Sequence, residues 1–311
     1  MFIVKYRKIF YTISGLLVLA SIVLLFSWGL TLGVDFKGGT ILEVEYRENR
    51  PSVDEIHTAL APMSLNENIR PTGDKGYIMR MKTIEEKEHV SIIKTLSFGN
   101  TKPFIEKRFN TIGPLLGREA ANKALVSIVF VLLCIVLFIT FAFRKVSEPV
   151  RPDDTVGRVS SWKYGIIAIL ALFHDVAIPT GVFVVLGHFL GYEVDTLFVT
   201  ALLVVLGFSI HDTIVVFDRV RENLRLNHEH KQKKAFETVV GESISQTFTR
   251  SINTSLTTLL ALIVLYFVGA EVTQHFSLVL IVGIAVGTYS SIFLGSPLLV
   301  TVERWQNRKN K

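Results

Sequence analysis

Six separate runs of about 20 apolar residues constrain this chain more than any other feature, because a helix of that length crosses the hydrocarbon core of a bilayer. They fall at Ile13 to Leu32, Ala124 to Phe143, Tyr164 to Leu186, Thr196 to Phe217, Ser251 to Val268 and Phe276 to Leu299. Half of the 311 residues are hydrophobic and only 19% are charged. The apolar residues lie in runs rather than periodic stripes, which excludes disorder, collagen and coiled coil and argues against a pair of soluble domains. The expected fold is an α-helical polytopic membrane protein with six transmembrane helices and a small α+β ferredoxin-like extracytoplasmic domain between the first two. Residues 1–32 are then the N-terminus and first span, 33–123 the domain with its linkers, and 124–311 the remaining spans and C-terminus. The first run resembles a signal peptide, since Lys5, Arg7 and Lys8 precede it. It is too long for a usual signal core and no small-x-small site closes it, so it reads as an uncleaved span. The one cysteine, Cys134, lies inside an apolar run, which leaves no intramolecular disulfide and no cysteine-based zinc cluster.

Lysine and arginine set the orientation, because short basic loops resist translocation. Basic residues gather before the first run, between the second and third (Arg144, Lys145, Arg151, Arg158, Lys163), between the fourth and fifth (Arg219, Arg221, Arg225, Lys231, Lys233, Lys234) and at the end (Arg304, Arg308, Lys309, Lys311). The opposite short loops, Gly187 to Asp195 and Gly269 to His275, contain none. Both termini of this multi-pass membrane protein are expected in the cytoplasm. The net charge of +6 is thus assigned to topology and membrane lipid, with no nucleic acid as partner.

Residues 38–112 alternate between strand-like and helix-period runs. Thr40 to Tyr46 reads as a strand, Val53 to Leu60 behind Pro51 and Ser52 as a capped helix, and Asn68 to Thr72 and Tyr77 to Met81 as strands flanking a Gly73-Asp74-Lys75-Gly76 turn. Ile84 to Phe98 reads as a helix and Phe104 to Thr111 as a closing strand. The order β-α-β-β-α-β is the split βαβ pattern. The segment shows no metal-ligand cluster and no nucleophile constellation, so a binding or gating surface fits it better than an active site, and a plain scaffold fits equally.

No G-x-x-x-x-G-K-[ST] phosphate loop occurs anywhere, so any work must come from a partner or an ion gradient. An ionisable residue inside a span costs about 2.5–3.5 kcal/mol, which makes it a functional candidate. Four positions qualify: His174 and Asp175 in the third run, Asp212 in the fourth and Arg250 at the start of the fifth. Ser209 precedes Asp212 by three residues and shares its face. Arg250, Asn253, Thr254, Thr257 and Thr258 recur at helical spacing as a polar stripe. A carboxylate alternating between a guanidinium and a bound proton would be an ion-driven switch. Against this, Arg250 also fits a headgroup anchor, and Asp212 also fits a structural partner of a neighbouring helix. His174 and Asp175 are adjacent and point to different faces, which suits an interhelical hydrogen bond as well as a relay, near an expected kink at Pro179. Gly283 and Gly287, followed by Ser290, Ser291 and Gly295, form a small-residue stripe for close helix packing. Ser209, His211 and Asp212 carry triad residue types, but on one helix neighbours at i+1 and i+2 face apart. Only a remote His174 acting on Ser209 would give a hydrolase, and no enzyme activity, cofactor or metal is expected.

Several of these segments resemble motifs of the SecD/SecF family, within the resistance-nodulation-division superfamily. Gly33-Val34-Asp35-Phe36-Lys37-Gly38-Gly39-Thr40 resembles its glycine-rich signature after the first span, and Ile112-Gly113-Pro114-Leu115-Leu116-Gly117-Arg118-Glu119 resembles the motif before the second. Ala171 to Asp175, Asp212 to Asn223, Arg250 to Thr258 and Gly287 to Phe293 resemble its SecF branch, in order and along nearly the whole chain. The resemblance implies a protein-export subunit that pairs with SecD and assists the SecYEG channel and the SecA motor on unfolded secretory proteins, with YajC and YidC as further partners. It implies an ion path through Asp212 and Arg250, completed by a SecD carboxylate, and the polar residues Ser209, Asn253, Thr254 and Thr257, which share their helix faces by spacing, are expected along it. It also gives Asp35, Gly38, Gly39, Gly113, Pro114 and Gly117 a backbone role. His211 departs from the family's usual Asn, placing an ionisable ring where the family has an amide, and Lys37 departs from a usual small or polar residue. The sequence leaves open proton against sodium coupling, half of a small-molecule exporter of the same superfamily, and a purely structural partner of SecD.

Overall fold

The computed structural model describes residues 2–142, 161–230 and 234–309, and six of its helices are long and apolar enough to cross a membrane. They are span one (Arg7–Trp28), span two (Pro114–Ala142), span three (Ser161–Leu190), span four (Thr196–Glu229) and span five (Phe236–Val268). Span six runs Glu271–Tyr289, passes through a π-helical segment Ser290–Gly295 and continues as Ser296–Lys309. Phe143 and the basic residues Arg144, Lys145, Arg151, Arg158, Lys231, Lys233 and Lys311 lie outside the described residues. Span one stops at Trp28, short of the expected Leu32, because Gly29 takes a φ of 72° that breaks the helix. Spans four and five run well past the apolar runs that announced them. Their extensions stay helical because Val220, Phe236, Val239, Val240 and Ile244 bury one face while the other carries the charges.

The chain forms two compact units, one of Met1–Thr31, Ser127–Tyr192 and Leu197–Lys311, the other of Leu32–Val126 and Glu193–Thr196. In the first, small residues let helices meet. A Cβ on Gly283 would overlap Val205 of span four, one on Gly287 would come within 3.0 Å of Ser209 Cβ, and one on Gly181 of span three would strike Ser21 of span one. Close approach of this kind stabilises helices in lipid, where burial of apolar surface supplies no driving force between them. Arg7 of span one and Arg304 of span six both pair with Glu237 of span five, so two residues read as orientation signals also fasten three helices together.

The second unit is a four-stranded antiparallel sheet in the order β2-β3-β1-β4. Its strands are β1 (Gly39–Tyr46), β2 (Asn68–Thr72), β3 (Gly76–Met81) and β4 (Phe104–Ile112), with helices α1 (Val53–Leu60) and α2 (Glu86–Leu96). Leu42, Val44 and Tyr46 point one way by strand alternation. They meet Ile56 and Leu60 of α1 and Ile92 and Leu96 of α2, each pair one helical turn apart, in a single core. Ser52 and Glu55 cap α1 reciprocally.

The glycine-rich motifs interlock within this unit. Gly38 and Gly39 have φ of 80° and 139°, torsions that other residues rarely adopt. A Cβ on Gly38 would lie 2.7 Å from Pro114 Cα, and one on Gly117 would lie 2.8 Å from Gly38 N, so the two motifs touch backbone to backbone. Lys37 needs no unusual torsion; it ends a helical turn, Val34–Lys37, and is exposed. Residues 193–196, expected with the membrane part, belong to this unit for three local reasons. Gly33 N–H donates to the Val194 carbonyl at 2.9 Å, Arg80 Nε lies 2.9 Å from Glu193, and Asp35 accepts from both the backbone N–H (3.0 Å) and the hydroxyl (2.7 Å) of Thr196. Burial pushes the Glu193 carboxyl above its ordinary range, and Arg80, Arg70 and Lys37 pull it back. Replacing Gly38 by Ala is expected to cost about 1–2 kcal/mol for the left-handed torsion alone, with the Pro114 overlap added. Thermal unfolding of the purified full chain followed by circular dichroism should show a lowered midpoint; an unchanged one would mean the interlock carries no stability.

Candidate functional site

Polar residues inside a span must find hydrogen-bond partners within the protein, and the simplest partner is the helix's own backbone. Ser243 donates to the Val239 carbonyl (2.7 Å), Thr247 to Ser243 (3.0 Å), Ser255 to Ser251 (2.9 Å) and Thr288 to Ile284 (2.8 Å). Hydroxyl residues therefore line the buried seam between spans four, five and six at almost no backbone cost. Ser255 and Thr288 also meet each other at 2.5 Å, and Thr213 of span four meets Ser291 of span six at 2.8 Å.

Asp175 and Asp212 both lie in this interior. Asp175 of span three is 0% exposed. Its Oδ1 lies 2.8 Å from His174 Nδ1, and its Oδ2 accepts from Ser290 Oγ of span six (2.7 Å) and from Ser209 Oγ of span four. Three spans thus converge on one side chain. His174 bonds the neighbouring Asp175 rather than another helix, and its Nε2 is buried without a partner. Because Ser209 donates to Asp175 and His174 also turns to Asp175, the remote His174–Ser209 dyad of a hydrolase does not form. Asp212 of span four is 6% exposed and faces Ser251 of span five. Among the described residues neither Asp212 Oδ2 nor Ser251 Oγ has a hydrogen-bond partner, so this carboxylate, unlike Asp175, is buried with part of its bonding capacity unused.

The expected pairing of Asp212 with Arg250 is absent within this chain. Arg250, Asn253, Thr254 and Thr257 are all exposed, and Arg250 forms no ion pair with any described residue. The reason is helical phase: Ser251 and Ser255 occupy the buried face, and Arg250, one residue earlier, is rotated about 100° away from it. Thr254 donates to the Arg250 carbonyl (2.9 Å), and Thr257 and Thr258 donate to the Thr254 carbonyl (2.9 and 3.1 Å). His211, next to Asp212, is exposed as well. The polar stripe is an outward face of the helix pair, and the buried seam is a second stripe, Ser243, Thr247, Ser251 and Ser255, whose i, i+4 spacing was the available signal.

Beyond the apolar runs, Arg219 Nε donates to Gln246 Oε1 (2.6 Å), and Asn223 Nδ2 donates to both Gln246 (2.8 Å) and Ser243 (2.8 Å). These bonds explain the polar tail of the Asp212 motif as a clasp between spans four and five. Among the described residues no three His, Cys, Asp or Glu converge to hold a metal ion.

Residues 155–305 match the family model of the protein export membrane protein SecD/SecF, C-terminal, and residues 23–49 match the SecD/SecF GG motif. A protein translocase subunit SecF from Thermobaculum terrenum is 40% identical over 98% of this chain and 94% of its own. One of the same name from Synechocystis is 34% identical over 98% of this chain and 95% of its own. Among solved structures, SecDF from Thermus thermophilus, described as a translocon-associated membrane protein, superposes with a TM-score of 0.80 at 29% identity, covering 98% of this chain. SecDF in a super-membrane-facing form gives 0.61 at the same identity. This chain spans 38% of the length of each of those SecDF chains.

The packing in the interior makes a directional prediction. Gly283→Leu should prevent spans four and six from meeting at Val205, and Val205→Ala should partly restore the contact. The yield of folded protein on detergent size-exclusion chromatography measures both; a Gly283→Leu variant with normal yield would show that the close approach is dispensable.

Proposed function

The chain belongs to the SecD/SecF family, in its SecF branch, and from that membership we propose that it couples an ion gradient to protein export as the SecF half of a SecDF unit. The observation that carries the coupling is Asp212, a carboxylate buried in a span against Ser251, one of whose oxygens has no hydrogen-bond partner among the described residues. Such a group is stabilised either by taking a proton or by a basic partner in reach. Arg250 and the stripe Asn253, Thr254 and Thr257 lie on an outward surface. Polar groups on an outward surface of a span need cover from another protein, and this chain accounts for 38% of a SecDF chain. SecD supplies that cover in this reading, and its side chains complete the path with Asp212 and Arg250. Protons enter from the extracytoplasmic side and leave to the cytoplasm, and each elementary charge crossing the membrane contributes about 2.3 kcal/mol per 100 mV.

In this reading both termini are cytoplasmic, the membrane is the bacterial inner membrane, and the sheet domain faces outward. The wider assembly is SecYEG, SecA, YajC and YidC, the cargo is an unfolded secretory chain, and the chain itself is not an enzyme. The outward domain is built on one apolar core, and among the described residues no three His, Cys, Asp or Glu converge to hold a metal ion, so in this reading it acts as a base or partner contact.

Export of a secretory protein into membrane vesicles, with and without an imposed proton gradient, tests the coupling. Asp212→Asn should lose the gradient-dependent part while still assembling with SecD; full retention of that part would refute the role given to Asp212. Arg250→Lys should impair export at normal assembly, and unaltered export would reduce Arg250 to a headgroup anchor.

A further inference from the structure

The geometry points to Asp175 as a second protonation site, one that acts by deciding where Ser290 bonds at the π-helical break in span six. It extends the ion-coupled reading above to a residue that reading does not use. Four observations converge on it.

Ser290 has one hydroxyl hydrogen and two acceptors in reach, Asp175 Oδ2 at 2.7 Å and the Gly287 carbonyl at 3.0 Å. A charged carboxylate takes that hydrogen, since bonds to an ionised acceptor are about twice as strong as neutral ones. When a proton from the aqueous phase is added to Oδ2, the new O–H donates to Ser290 Oγ and the serine hydrogen turns to Gly287. Ser209 still donates to the remaining lone pair of Oδ2. One proton is gained, one hydrogen bond reverses, and neither Asp175 Oδ2 nor Ser290 loses its partner, so the buried site accommodates both states.

The alternative partner lies at a mechanically special place. Ser290 opens the π-helical segment Ser290–Gly295, and such segments often mark functional positions in helices. Ser296 Oγ donates back to the Ser291 carbonyl at 2.8 Å, and Ser291 reaches Thr213 at 2.8 Å and the Ser209 carbonyl at 3.4 Å. The break is therefore fastened to span three through Ser290 and to span four through Ser291, and the proton on Asp175 governs the first of these fastenings.

Span three is loosened at the same residue. Pro179 lies inside the helix and has no N–H, so the Asp175 carbonyl lacks the donor that a regular helix would give it four residues on. His174 completes the arrangement: its Nδ1 lies 2.8 Å from Asp175 Oδ1, and its buried Nε2 has no hydrogen-bond partner among the described residues.

The titratable groups around Asp175 are few. Span three contributes His174. Span six contributes Tyr289, whose ring stacks on His174 with centroids 6.0 Å apart and whose hydroxyl donates to the Phe10 carbonyl. Span four contributes Asp212, three residues after Ser209. From Ile9 to Trp28 span one carries no charged residue, and its Tyr11 bonds Thr301. Arg250 of span five is exposed, and among the described residues no Lys or Arg forms an ion pair with Asp175.

The test is infrared difference titration of the full chain purified with its SecD partner in lipid vesicles, following the carbonyl stretch of protonated carboxylic acids. A band that titrates with pH should vanish in Asp175→Asn and persist in Asp212→Asn. Ser290→Ala should displace its midpoint by about one pH unit, the effect of losing one bond to a charged group. A titrating band indifferent to Asp175→Asn, the absence of any such band, or an unmoved midpoint in Ser290→Ala would each overturn the proposal. If Asp175→Asn does not assemble, the Ser290→Ala midpoint decides it. The outcome is separate from the export assay: an Asp175 band with full gradient-stimulated export in Asp212→Asn would sink the role of Asp212 and leave this site standing.

Discussion

Inside a lipid bilayer no water is available to satisfy a polar atom, and the membrane unit of this chain is arranged around that fact. Among the described residues the interior holds Asp175, Asp212 and more than a dozen hydroxyls, which would each be costly if left alone. Most hydroxyls bond the carbonyl one turn back on their own helix, as Thr247, Ser255 and Thr288 do. What remains is spent between helices. Asp175 draws Ser209 and Ser290 from two other spans, and Thr213 and Ser291 close the same seam. Glycines at 283 and 287 are the condition for this, because a side chain at either position would hold span six away from span four.

Asp212 stands apart because it breaks the pattern of its neighbours. A buried carboxylate oxygen without a partner is unstable as an ion unless something outside this chain completes it. The exposed stripe of Arg250, Asn253, Thr254 and Thr257 poses the same problem on the outer surface. Both are resolved together if one neighbouring subunit covers the spans four and five pair. The SecF branch, whose solved relatives are SecDF chains much longer than this one, supplies the family in which such a partner is expected.

The sheet domain was legible almost residue by residue. Alternation at Leu42, Val44 and Tyr46, the cap at Ser52 and the turn at Gly73 to Gly76 are local signals, and local signals survive folding when one face is plainly apolar. The glycine-rich motifs were legible as motifs but not as a mechanism. That Gly38 touches Pro114 and Gly117, and that Asp35 receives the first N–H of span four, depends on segments about 75 and 160 positions apart meeting in space. The polar stripe of span five was found, yet its direction was not: spacing gives the period of a face and says nothing about which neighbour it turns to. Ser251 was overlooked beside Arg250 for that reason.

The sequence by itself determined the six spans, the intervening β-α-β-β-α-β domain and the short roster of ionisable residues in lipid, because hydrophobic run length, strand and helix periods and the cost of buried charge are properties of a linear chain. Only the tertiary structure decided which of those residues meet. It gave Asp175 three hydrogen-bond partners, left Asp212 incomplete, turned Arg250 outward and placed a π-helical break where Ser290 can choose between two acceptors. Each of these depends on how helices rotate about their axes when packed, and that rotation is set by contacts between distant residues rather than by any local pattern.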